Sequence, residues 1–236
     1  MLFEFDPIGF IRSDFKEKFG VPRQSMMMTE ARGILKLNNE PKYREAIEDL
    51  EKFSHLWLIF VFHKELDKDW RAKISPPRTE LNQNVGVFSS RSPHRPNPIG
   101  ISTLKIERID SSAEGGAEIH LSGLHILDGT PVLDIKPYIP YADSIPQANS
   151  GWADAEIKKY TVSFATDVEI PKRRDLLIQM LELDPRPTSQ RRNFPIEDER
   201  SEDHPFAFRF LDYDVQWKIC KSGIHVVKIL KLVEKC

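Results

Sequence analysis

The chain has 236 residues, a formal net charge of −2, 40% hydrophobic and 30% charged residues, which is the composition of an ordinary globular protein. That charge excludes nucleic-acid binding through a whole-molecule basic field, so any RNA contact must come from local patches. Its two cysteines, Cys220 and Cys236, give neither a disulfide framework nor a zinc site, and no metal is expected. They fit a reducing compartment, with the cytosol as the expected location. The longest strongly apolar run, Leu56–Phe62, is far below the roughly 20 residues of a membrane span. Met1–Asp6 has two acids and no basic stretch, so neither a membrane nor a secretory signal is expected.

In chain order, Phe5–Ser13 reads as an opening strand, and Lys16–Gln24 as a polar loop. Ala31–Leu37 reads as a second strand. Tyr43, Ile47, Leu50 and Phe53 recur at helical spacing, which predicts one helix from Pro41 to His55 capped by Asn39. Leu56–Phe62 is too short for another helix and too apolar for a one-sided strand, so it is expected to be buried on both faces. Val85–Ser89, Ile101–Ile109 and Glu118–Leu124 follow as strands, with Gly115-Gly116 turning between the last two.

Thr161–Thr166 reads as a linking strand and Pro171–Leu183 as a helix stopped by Asp184-Pro185-Arg186-Pro187. Three strands close the chain at Phe206–Leu211, Tyr213–Ile219 and Ile224–Val233. Many strands, few helices and short connections predict a mainly β protein, a barrel or sandwich body with a small α+β C-terminal lobe. The boundary is placed at residue 167, giving units 1–167 and 168–236. There is no G-x-G-x-x-G after a strand, no P-loop and no H-E-x-x-H, so the usual doubly wound cofactor fold has no foothold.

Two segments do not read as scaffold. Ser90–Gly100 places three prolines among two arginines, a histidine and an asparagine. Its plain reading is a surface turn, but proline-stiffened guanidinium forks are also what anion or nucleotide recognition requires. In the second, Asp128-Gly129 is a turn signal, and Asp134 and Lys136 share one face of a short strand. A salt-bridged exposed strand explains that pair, and so does a carboxylate placed to accept a proton.

Ser90-Arg91-Ser92-Pro93-His94-Arg95-Pro96-Asn97-Pro98-Ile99-Gly100, with Asp128-Gly129-Thr130-Pro131-Val132-Leu133-Asp134-Ile135-Lys136-Pro137-Tyr138, closely resembles the TsaA/YaeB-like family, whose bacterial members are called TrmO. Gly20–Gln24, Phe62-His63-Lys64 and Asp184–Pro187 extend the resemblance over nearly the whole chain. The family often has Thr at Ser90, an aromatic at His94 and Pro-Gly at Ser25-Met26.

The resemblance implies a single-sheeted β-barrel, S-adenosylmethionine as methyl donor, a homodimer, and methylation of N6 of threonylcarbamoyladenosine beside the tRNA anticodon. It also implies that Pro22, Arg23, Gln24, His63, Lys64, Arg91, Ile101, Ile126, Leu127, Asp128 and Gly129 hold the cofactor. Asp134 is then the candidate general base and Tyr138 a stacking or proton-relay group. Arg95, Lys172, Arg173, Arg174, Arg186, Arg191 and Arg192 are the candidate RNA contacts. Two other readings compete: a non-catalytic barrel that binds tRNA or a nucleotide, and a hydrolase using His125, Asp128 and Asp134. The hydrolase lacks a nucleophile elbow or a metal-ligand pattern.

Overall fold

The computed structural model describes residues 3–17, 21, 25–76, 84–154, 157–166, 168, 172–202 and 204–232. Contacts divide the chain into two units, Met1–Asp14 with Gln24–Ala155, and Phe15–Arg23 with Glu156–Cys236.

The first unit holds strands β1 (Gly9–Ser13), β2 (Arg32–Leu37), β3 (His55–Val61), β4 (Lys73–Ile74), β5 (Val85–Gly86), β6 (Ile99–Asp110), β7 (Glu118–Ser122) and β8 (Pro131–Pro137). Six of them close a barrel in the order β1-β2-β7-β6-β3-β8, every pair antiparallel, while β4 and β5 form a separate ribbon. Alternation decides what fills it. Leu56, Leu58 and Phe60 of β3 point inward to meet Ile11, Leu35, Leu104, Ile119, Leu121 and Val132, all buried. Gly100 is required here, because a Cβ at that position would lie 2.3 Å from the Phe60 ring.

Two expectations change. β3 is not buried on both faces: it alternates, with His55, Trp57, Ile59 and Val61 only half-buried on the outer wall. Its outward residues are as apolar as its inward ones, which is why the sequence alone reads as a doubly covered strand. The helix expected from Pro41 to His55 is α1 (Pro41–Ala46), with Glu40 rather than Asn39 at its N-cap, followed by a 3-10 turn at Leu50–Lys52. Asp49 takes a left-handed conformation at φ 66° and breaks the helical run. A short helix α2 (Pro140–Asp143) follows β8.

The second unit contains β9 (Val162–Phe164), α3 (Arg174–Glu182), α4 (Thr188–Asn193), β10 (Pro205–Phe210), β11 (Tyr213–Cys220) and β12 (Gly223–Lys231). Its sheet runs β10-β11-β12-β9, with β9 parallel to β12. The residues of β9, placed with the body in the sequence reading, therefore ladder onto the second sheet. Leu176, Leu177, Met180 and Leu181 of α3 are buried, as are Phe206, Phe208, Val215, Trp217 and Ile224 of the sheet.

Arg186 is a correction. It was an RNA-contact candidate, but it is only 1% exposed. Its guanidinium makes a fork with Asp184 (Nε–Oδ1 2.7 Å, Nη2–Oδ2 2.8 Å), donates from Nη1 to the Phe194 carbonyl, and lies over the Phe206 ring.

Candidate functional site

The antiparallel barrel brings one set of strand ends together. The start of β8, the ends of β1 and β3 and the start of β6 lie at the same mouth, because β8 pairs with both β1 and β3 and β6 pairs with β3. His63, Lys64, Arg91 and the Ile126–Gly129 segment fall on loops at this mouth, which is why motifs far apart in the chain meet.

The turn between β7 and β8 is clamped from β1. Ser13 donates its N–H to Asp128 Oδ1 (2.9 Å) and its hydroxyl to the Ile126 carbonyl (2.9 Å). Gly129 N–H donates to the Ile11 carbonyl, and Ile11 N–H donates to the Thr130 carbonyl. Gly129 sits at φ 72°, a left-handed conformation that glycine adopts without a Cβ penalty. Ile126 is buried while Leu127 and Asp128 are half-buried, giving an apolar wall beside a fixed carboxylate.

His63 lies in a 3-10 turn, His63–Glu65, directly after β3, with Nδ1 3.4 Å from the Thr130 hydroxyl. Lys64 is exposed beside it. Thus His63 and the 126–130 turn are joined across 67 positions of sequence.

The proline-rich loop forms the third side. Arg95 Nη1 donates to the carbonyls of Ser90 (2.9 Å) and Ser92 (3.3 Å), so this RNA-contact candidate ties the loop together. Phe62 N–H donates to the Pro98 carbonyl (2.7 Å), joining the loop to the end of β3. Below it, the buried Glu65 carboxylate pairs with His94 Nδ1 (3.2 Å) and with Lys68 Nζ (3.2 Å). Arg91 is exposed on this loop, its charge close enough to act on the ring of His125.

His125 precedes the clamped turn. Its Nε2 is 3.1 Å from the hydroxyl of Ser102, which is 1% exposed on β6. Burial first, and the Arg91 guanidinium second, push its pKa down to about 4, so the ring is neutral near pH 7.

The mouth therefore gathers His63, Lys64, Arg91, Ile126, Leu127, Asp128 and Gly129. It does not gather Ile101, Asp134 and Tyr138, which lie on the outer wall. Ile101 is opposite Ile59, which is opposite Asp134 on the other side. Asp134 is ion-paired to Lys136 at 2.8 Å. The Tyr138 ring packs against Trp57, with centroids 5.8 Å apart. Pro22, Arg23 and Gln24 lie outside the described residues.

Sequence reasoning passed over Ser13, Glu65, Ser102 and Thr130, and gave His125 a role only in the hydrolase reading. Their partners are 23 to 115 positions away, or become buried only when the barrel closes, so no local pattern marks them. Among the described residues no three His, Cys, Asp or Glu side chains gather to hold a metal ion, and no helix is long and apolar enough to cross a membrane.

A barrel mouth with a fixed carboxylate, an apolar wall and cationic side chains has the chemistry that suits a nucleoside carrying a charged tail. The tRNA-methyltransferase O N-terminal domain matches residues 10–144, and the TrmO C-terminal domain matches residues 153–232. The tRNA (adenine(37)-N6)-methyltransferase of Escherichia coli K12 is 36% identical, over 95% of this chain and 96% of its own. A Pseudomonas aeruginosa protein named for S-adenosylmethionine-dependent methyltransferase activity is 40% identical, over 92% of this chain and 93% of its own. The crystal structure of TrmO from Pseudomonas aeruginosa superposes with a TM-score of 0.75 at 34% identity, covering 97% of this chain and 98% of that one. The chain belongs to the TrmO family of tRNA methyltransferases.

Proposed function

We propose that this protein transfers the methyl group of S-adenosylmethionine to N6 of threonylcarbamoyladenosine beside the anticodon of tRNA. The observation that carries this reading is the joining of His63, the 126–130 turn and the Arg91 loop at one mouth. Asp128 suits the hydroxyls of a ribose, Ile126 and Leu127 an apolar ring face, and Lys64 and Arg91 a carboxylate. Pro22, Arg23 and Gln24 complete the proposed cofactor set.

The sulfonium supplies an activated methyl group when the cofactor is bound. The residues must then align the nucleophile, exclude water and take a proton. In the transfer the S–CH3 bond breaks, the N6–CH3 bond forms, and the N6 proton leaves. We assign that proton to Asp134, held by Lys136, with Tyr138, packed on Trp57, as the stacking or relay group.

Asp134 and Ile101 sit on the outer wall, which is also apolar. Phe10 pairs with Pro131, Val61 with Ile99 and Ile59 with Ile101, and Phe10, Ile99 and Ile101 are all more than 40% exposed. A second copy of the chain covering this wall would bury that row and bring Ile101 and Asp134 against a neighbouring mouth. This supports a homodimer, working in the cytoplasm where its tRNA is.

The test is single-turnover methyl transfer from labelled cofactor to tRNA. Arg91→Ala is expected to weaken cofactor binding, while Asp134→Asn slows transfer at saturating cofactor. A variant pair that leaves both steps unchanged would remove these residues from the site.

A further inference from the structure

One polar atom directly before the clamped turn is left over. His125 Nδ1 is buried and has no hydrogen-bond partner, whereas Nε2 of the same ring is fixed by the Ser102 hydroxyl. Leu124 N–H donates to the Ala31 carbonyl, and Ser13 holds the Ile126 carbonyl, so the backbone is anchored on both sides of His125. The ring cannot turn to satisfy Nδ1 without giving up Ser102. A buried nitrogen without a partner is costly, and a ligand that supplies the partner removes that cost.

The chemistry of the surrounding groups says what kind of partner is missing. Arg91 and Lys64 offer donors. Asp128 Oδ1 already accepts from Ser13. An adenine ring brings an exocyclic amine, which needs an acceptor. Because a serine hydroxyl can accept as well as donate, Nε2–H can donate a hydrogen bond to Ser102 Oγ, the tautomer that has its lone pair at Nδ1.

We propose that His125, set by Ser102, is a specificity-determining residue whose Nδ1 accepts a hydrogen bond from the exocyclic amine of the cofactor's adenine. It would select an adenine nucleoside against a purine without the amine. This rests on the reading of the mouth as the cofactor site. His125 acts here in binding, and no proton is transferred to it.

The experiment is calorimetric titration of the full-length protein with S-adenosylhomocysteine and with its 6-deamino analogue, in which hydrogen replaces the amine. The wild-type protein is expected to bind the analogue about tenfold more weakly, the scale of one hydrogen bond. His125→Leu should bind both ligands alike, at the affinity of the weaker wild-type complex. His125→Asn, which returns an acceptor close to the position of Nδ1, should restore much of the discrimination, and Ser102→Ala should lose part of it. Circular dichroism of each variant separates loss of fold from loss of the contact. If His125→Leu, correctly folded, still preferred the amine tenfold, the proposal would be overturned while the cofactor site stood. If the wild-type protein bound neither ligand, the cofactor reading itself would fall.

Discussion

Glu65 Oε2 lies 3.2 Å from His94 Nδ1, and this contact fastens the turn that carries His63 and Lys64 to the loop that carries Arg91. Glu65 is 5% exposed at its side chain and also holds Lys68, so two motifs of the mouth share one buried carboxylate. Glu65→Ala should cost about 1–3 kcal/mol of stability, less than a fully buried pair because His94 and Lys68 can hydrate when released. Denaturant unfolding measures that cost. Glu65→Gln, which keeps the shape and a polar contact, should lose less, and both should weaken cofactor binding through the loosened loop.

His125 makes the stability depend on acid. Its pKa is lowered from 6.5 to about 4 in the folded protein, so the folded state prefers the neutral ring. The stabilisation is complete above about 6.5 and is lost as pH falls from there towards 4, where the unfolded chain takes up the proton more readily. The thermal midpoint of the wild-type protein should therefore fall more between pH 7 and pH 4.5 than that of His125→Leu. Equal falls would show that this ring is not a source of the acid sensitivity.

Arg186 and Arg192 should separate two roles that look alike in sequence. Arg186→Ala leaves the buried Asp184 carboxylate without its fork and should destabilise the protein by about 3–5 kcal/mol. Arg192, exposed on α4, should tolerate alanine within about 0.5 kcal/mol. If it contacts RNA, Arg192→Ala weakens tRNA binding and flattens its salt dependence. Chemical denaturation and a filter-binding salt series make the comparison.

Ile101 is 51% exposed on the outer wall, so Ile101→Glu should leave the barrel fold intact. In the proposed dimer it would place a charge in an apolar contact and shift the protein to monomer. Light scattering at micromolar concentration reads the change. An unchanged mass for the variant would move the dimer contact elsewhere.

The barrel was legible because its strands carry their own pattern. β2, β6 and β7 begin or end within two residues of their expected positions. Where pattern misled, a physical reason is visible. Val85–Ser89, expected as one strand, is a two-residue strand followed by a 3-10 turn. The apolar outer side of β3 imitates a second buried face, and the left-handed Asp49 ends a helical periodicity that continues in the sequence.

The site was legible only as two motifs. Their meeting follows from strand order, which periodicity does not encode. Arg186 looked like a surface cation because nothing nearby in sequence announces the aromatic rings of Phe206 and Trp217 that enclose it. Glu65 was invisible as a site residue, and His125 entered only the hydrolase reading, for the same reason: burial by distant elements gives them their roles.

The most direct test mixes the purified protein, labelled S-adenosylmethionine and tRNA from cells with or without the threonylcarbamoyl modification, followed by nucleoside mass spectrometry. The predicted result is one added methyl group on the threonylcarbamoylated adenosine beside the anticodon and none on unmodified tRNA. Methyl transfer to unmodified adenosine, or no transfer to either pool despite saturable cofactor binding, would contradict the assigned substrate.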